Sequence, residues 1–210
     1  MLKKRYTIRA ISIFLFTLSL SISVYSQEFK AGIQLGITGT QVTGDQLAGF
    51  NKAGLFGGFF VNRNFGRLGD GQLEINFIQK GSKKNAHPDK GDYVKYLLRL
   101  NYIEVPVMYK FNIKNILKIE AGVMFAYLIN SKEFDIQGKV YPDPSIPYYK
   151  KYDISGFAGI NYKINDIFSL SFRYSYSILA IRPKPNSVTY RYNAGQFNEV
   201  LCSSLQYNFN

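Results

Sequence analysis

From residue 29 onward the chain alternates. In "EFKAGIQLGIT" the apolar Phe29, Ala31, Ile33, Leu35 and Ile37 are interleaved with Lys30, Gly32, Gln34, Gly36 and Thr38. A period of two sends each set to its own face of a strand. The pattern returns over 52–65, and again over 72–81, where Leu73, Ile75 and Phe77 oppose Glu74 and Asn76. Over 97–111, Ile103, Val105, Val107, Tyr109 and Phe111 share one face with Glu104 on the other, and the face shifts near Leu100 and Tyr102, as at a bulge. Over 117–129 a run from Leu117 and Ile119 to Tyr127 and Ile129 opposes Lys118 and Glu120. Over 152–164, Ile154, Ala158, Ile160 and Tyr162 oppose Asp153, Ser155 and Asn161.

The strictest case is "SLSFRYSYSI", 169–178, with a hydroxyl or charge at every odd position, an apolar or aromatic residue at every even one, and Arg173 in mid-strand. A last segment, 196–210, keeps Phe197, Leu201, Leu205, Tyr207 and Phe209 in register.

The connections between these eight segments alternate in length. "TGDQLAGFN", "GSKKNAHPDKGDY", "NSKEFDIQGKVYPDPSIPYYKK" and "LAIRPKPNSVTYRYNAG" are long; "GRLGDG", "NIKNI" and Asn165-Asp166 are short. An even strand number with short turns on one side and long loops on the other is the plan of a transmembrane barrel. The segment lengths suit the roughly 9–11 residues a tilted strand needs to cross hydrocarbon. A soluble barrel or sandwich turns the same two faces the other way, and alternation does not separate the two. What favours the membrane version is an export signal, the aromatic richness of the apolar face, and charges placed singly in mid-strand. The expected fold is all-β: an eight-stranded antiparallel up-and-down transmembrane β-barrel preceded by a signal peptide.

That signal is residues 1–26: a basic start in Lys3, Lys4, Arg5 and Arg9, the apolar run "ISIFLFTLSLSI", and Val24 and Ser26 before a cut that leaves Gln27 first. The barrel domain is then 27–210. Seventeen Tyr, seventeen Phe and eighteen Gly with no Trp fit many strands joined by turns. Four of the 26 basic residues fall in the signal and none of the 14 acidic ones does, so the remainder carries 22 against 14, a net +8. Export argues against nucleic acid as the partner and for outer-membrane lipid and lipopolysaccharide. The lone Cys202 excludes an intrachain disulfide.

"AGIQLGITGTQVTGD", "LEINFIQKGS", "LNYIEVPVMYKF" followed by "AGVMFAYLI", and "SFRYSYSI" together resemble the PorT-like outer-membrane β-barrel family of Bacteroidota-type bacteria. The resemblance runs through nearly the whole exported part. It implies an eight-stranded barrel in the outer membrane of a Gram-negative cell, and no defined activity. One branch of that family serves secretion and gliding, a role that kinship of fold does not transfer.

Candidate chemistry is sparse. Ser82, His87 and Asp89 or Asp92 supply the residue types of a lipid hydrolase, but His87 sits beside a proline in a loop, poor support for a site. One His and one Cys exclude the usual nitrogen and sulfur metal sites, "PDKGD" lacks calcium-loop spacing, and no cofactor is expected. Glu74, Arg99, Glu104, Lys118, Glu120 and Arg173 are expected to share the lumen as a charge network, a plug more than a pore because eight strands leave room only for side chains. Tyr141, Tyr148 and Tyr149, in a proline-stiffened loop, form the expected contact surface; Tyr149 and Tyr152 also suit an aromatic belt. The functional expectation is a monomeric barrel, not an enzyme, with a structural, adhesive or envelope-accessory role through its outer loops and a protein partner left open. A narrow porin-like channel and a lipid hydrolase are the alternatives.

Overall fold

The computed structural model describes residues 29–45, 47–140, 148–183 and 195–209, so the signal segment lies outside the described residues. Ten strands follow in order: β1 (Phe29–Thr43), β2 (Lys52–Asn64), β3 (Gly69–Lys80), β4 (Lys83–Lys84), β5 (Tyr96–Lys114), β6 (Leu117–Asp135), β7 (Gly138–Lys139), β8 (Tyr152–Lys163), β9 (Phe168–Ser177) and β10 (Phe197–Asn208). Eight of them are long, and each pairs antiparallel with the long strand before and after it. β1 and β10 close the ring, from Gly32 opposite Asn208 to Thr43 opposite Phe197. Closure leaves no unpaired long edge, which is how a sheet with an apolar outer face avoids pairing with other chains. The two-residue β4 and β7 extend β5 and β6 into a small flap at the long-loop end.

The period of two decides the faces. On β1, Leu35 is 69% exposed while its neighbour Gln34 is 1% exposed. On β9 every odd residue from Ser169 to Ser177 is buried and points inward, with Phe172, Tyr174 and Tyr176 outward. The outward face is an apolar band edged by aromatic clusters. Phe65, Tyr109 and Phe111, and Phe168, Tyr207 and Phe209, stack at the short-turn end; Phe125, Tyr127 and Tyr152, and Tyr176 and Phe197, do so toward the long loops. An apolar band between two aromatic girdles is the outside of a membrane barrel.

The bulge lies where the sequence suggested, but on the other strand. Asn101 pairs with Asn130 and Tyr102 with Leu128, so the extra residue is Ile129 of β6. β5 therefore keeps one alternation from Leu97 to Phe111, and Leu98, Leu100 and Tyr102 point inward together with Glu104; a second shift, at Ile113, lies on β5 at its other end. Pro106, also inward, has no N–H to give, and the β3–β5 ladder is interrupted there between Leu73–Val107 and Asn76–Glu104.

Candidate functional site

Arg173 is the hub of the lumen. Its Nη1 and Nη2 each donate to a Glu74 carboxylate oxygen at 2.7 Å, and its Nε donates to Glu120. All three are nearly sealed, at 6%, 1% and 0% exposure. The planar fork suits this role because it satisfies two carboxylates along different directions at once. Gln34 and Asn76 also donate to Glu74, both at 2.8 Å, and Ser171 donates to Glu120 Oε1 at 2.6 Å, while Glu120 Oε2 accepts no hydrogen bond among the described residues. Lys110 lies 3.5 Å from Glu120 and donates to Gln206.

Two glycines make this geometry possible. Gly159 of β8 stands in register between Glu120 of β6 and Arg173 of β9. A Cβ there would lie 2.3 Å from the Phe172 carbonyl oxygen and 3.0 Å from Arg173 Cγ. Gly58 of β2 likewise stands between Gln34 and Asn76, whose side chains join over it at 2.8 Å. Each bare position lets polar groups two strands apart meet directly.

A second set lies nearer the long loops. Lys80 reaches Glu104 at 2.6 Å and Asp153 at 3.3 Å, and Asn198 donates to Asp153 at 2.9 Å. Lys80 also lies over the ring of Tyr102, 5.0 Å from its centroid. Around it packs an apolar plug of Val42, Phe56, Ile78, Leu98, Leu100, Tyr102, Ala126, Leu128, Ile181, Val200 and Cys202. Cys202 is thus a small packed residue. Met108, Met124 and Phe157 form a smaller apolar group, with Arg173 over the Phe157 ring.

The six residues expected in one lumen network separate. Glu74, Glu120 and Arg173 meet; Glu104 belongs to the Lys80 set; Lys118 pairs with Asp70 near the short turns. Arg99 departs from the expectation: it is exposed on the outward face, because its position differs from that of Glu104 by an odd number and β5 has no bulge between them. Lys80, Lys110, Asp70 and Asp153 were missing from the expected set. The signal that finds them is parity: Lys110 stands an even number of residues from Glu104, and Lys80 and Asp70 an even number from Glu74.

At the long-loop mouth the described parts of two loops meet β6. Arg182 donates to the Tyr149 hydroxyl at 3.0 Å, stacks over its ring and lies 3.7 Å from Glu133, which accepts from Tyr96 at 2.6 Å. Burial pushes the Tyr149 hydroxyl well above its usual pKa, and the Glu133 charge adds to the shift. Tyr149 is therefore half-buried against the plug, whereas Tyr148 is 67% exposed. Tyr141 lies outside the described residues. Tyr152 joins the aromatic girdle through Phe125 and Tyr127.

Residues 23–181, most of the chain, match the family described as the outer membrane protein beta-barrel domain. The chain belongs to that family. As an outer-membrane barrel, it turns its four long connections outward and its short turns toward the periplasm. No curated protein matches the sequence significantly. Among solved structures, Neisserial surface protein A is similar at 12% identity and a TM-score of 0.55, over 85% of this chain and 97% of that one. Ail, the attachment invasion locus protein of Yersinia pestis, solved with the heparin analogue sucrose octasulfate, is similar at 14% identity and a TM-score of 0.50, over 87% of this chain and 99% of that one. At such identities the likeness is one of fold.

The hydrolase set does not assemble in this outer-membrane barrel. Ser82 is buried at 2% exposure, while His87 is exposed in a tight turn whose backbone pairs with Asp92, and Asp92 pairs with Lys84 at 2.9 Å.

Proposed function

We propose that this outer-membrane barrel acts through its outer surface, in a structural, adhesive or envelope-accessory role, and that its lumen does not conduct. The observation that carries the reading is the filled interior: the Arg173 fork on Glu74 and Glu120, with the apolar plug and the Arg182–Tyr149 contact above it. Charges this enclosed and mutually paired fix register and closure. They offer no path to hydrated ions. The fold shared with a Neisserial surface protein and with an attachment protein crystallised with a heparin analogue favours surface contact over catalysis. The resemblance of the sequence to the PorT-like family is part of the same reading, in which an envelope protein is the proposed class of partner.

The test is conductance. Refolded protein in planar bilayers is expected to give no steady current, with Glu120→Gln adding none. A steady current in the native protein that changes in Glu120→Gln supports the channel instead. In intact envelopes, a photo-cross-linking residue in place of the exposed Tyr148 is expected to capture one discrete partner, and the same residue at Ile113, near the periplasmic turns, is not.

A further inference from the structure

The outward face of β5 and β6 changes character on its way out of the membrane. From Phe111 opposite Ile119 up to Ile103 opposite Tyr127 it is apolar and aromatic. Asn101 opposite Asn130 follows, and then Arg99 directly opposite Lys132. Both cations are exposed, and among the described residues neither has an ion pair or hydrogen bond. Like charges facing each other across a strand pair, with Cβ atoms about 4.5–5.5 Å apart, are destabilising. Among the described residues no acid pairs with either cation to offset that repulsion.

Height supplies the reason. Arg99 stands twelve residues along β5 from Phe111, about 41 Å of strand and about 31 Å of height at a tilt near 40°. An apolar band about 25 Å tall ends several Å below it. The pair therefore lies in the headgroup layer, which extends about 5–7 Å beyond each side of the hydrocarbon.

The surface around the pair is shaped for an amphiphile. Just above it Leu97 faces Phe134, and Lys83 of β4 lies beside Leu97 on the same side. Lys95, Leu97, Arg99, Phe134, Asp135 and Gly138 line a half-open hollow of about 310 Å³. Asp135 is the one acid of that lining; its Oδ1 accepts the Gln137 N–H at 2.7 Å within the β6–β7 turn. Below the pair, Tyr127 and Tyr152 meet edge to face with ring centroids 5.5 Å apart.

We propose that Arg99 and Lys132 form a clamp for a phosphate on an outer-leaflet glycolipid, with Lys83 and Lys95 at its rim and the Leu97–Phe134 pair and Tyr127 against the rest of the headgroup. The bound phosphate neutralises the facing cations and ties the β5–β6 extension to the membrane surface. This site is independent of whether the loops hold a protein partner, and it is tested without one.

Bis-phosphorylated lipid A, titrated onto the refolded barrel in neutral detergent and counted by native mass spectrometry, is the probe. A cation near an anionic lipid surface contributes about fivefold in affinity, so Arg99→Gln/Lys132→Gln is expected to weaken binding about 30-fold. Both side chains are exposed, so the variant is expected to refold and to migrate on gels, boiled and unboiled, as the native barrel does. Lys114→Gln, at the periplasmic end of β5, is expected to leave affinity unchanged, and dephosphorylated lipid A to bind the native barrel as weakly as the double variant binds the phosphorylated form. Unchanged affinity in the double variant overturns the clamp. So does an equal loss in Lys114→Gln, which means bulk charge attraction, or full displacement by excess inorganic phosphate, which means a site for the free anion.

Discussion

Arg173→Met is expected to destabilise the barrel by about 3–5 kcal/mol, the cost of leaving a buried charge without its partner. Here two carboxylates, Glu74 and Glu120, lose the cation that touches both. Lys110, 3.5 Å from Glu120, remains, but its single ammonium does not reproduce a fork. Urea unfolding of the refolded protein in lipid vesicles measures the change. The quadruple variant Glu74→Gln/Lys110→Met/Glu120→Gln/Arg173→Met is expected to recover most of the loss, because a cluster with no buried charge avoids the desolvation that the ion pairs must overcome. A quadruple variant as unstable as the single one means that Arg173 contributes packing and not charge balance.

Gly159→Val is expected to cost about 3 kcal/mol or more, by overpacking and by displacing the guanidinium from Glu120. A valine Cβ would fall 2.3 Å from the Phe172 carbonyl oxygen, a backbone atom held in the sheet and unable to yield as a flexible side chain would. Gly156→Ala is the matched control on the same strand. Its nearest neighbour would be Ile178 Cδ1 at 3.8 Å, so a change within about 0.5 kcal/mol is expected. The same unfolding titration reads both variants, and equal effects would remove the special role given to Gly159.

Much of this architecture was legible in the sequence, because alternation states which residues share a face. "SLSFRYSYSI" fixed the inward serines and Arg173, and the loop lengths fixed the order of turns. What alternation does not state is which solvent a face meets. At the outer end of β5 the contrast between the faces is blurred: Leu97 looks outward beside Arg99 and Asn101, while Leu98, Leu100 and Tyr102 look into the plug. The apparent shift of face suggested a bulge on β5, and that bulge drew Arg99 into the lumen. Its actual place on β6 keeps Arg99 outside. Pairing across the lumen was the least legible part. Arg173 meets Glu74 across the interior although they stand 99 positions apart along the chain, and only the closed ring brings them together.

The barrel is inside-out, with apolar side chains in lipid and charges in a filled interior. Adjacent residues of β9 test it most directly. On a Cys202→Ser background, Phe172→Cys and Ser171→Cys variants, each carrying an environment-sensitive dye attached before refolding into bilayers with brominated acyl chains, report the lipid contact of one position. Strong quenching at 172 and little at 171 is the result expected of a membrane barrel with Phe172 outward and Ser171 sealed inside. Equal quenching at both, or the reverse order, would contradict it.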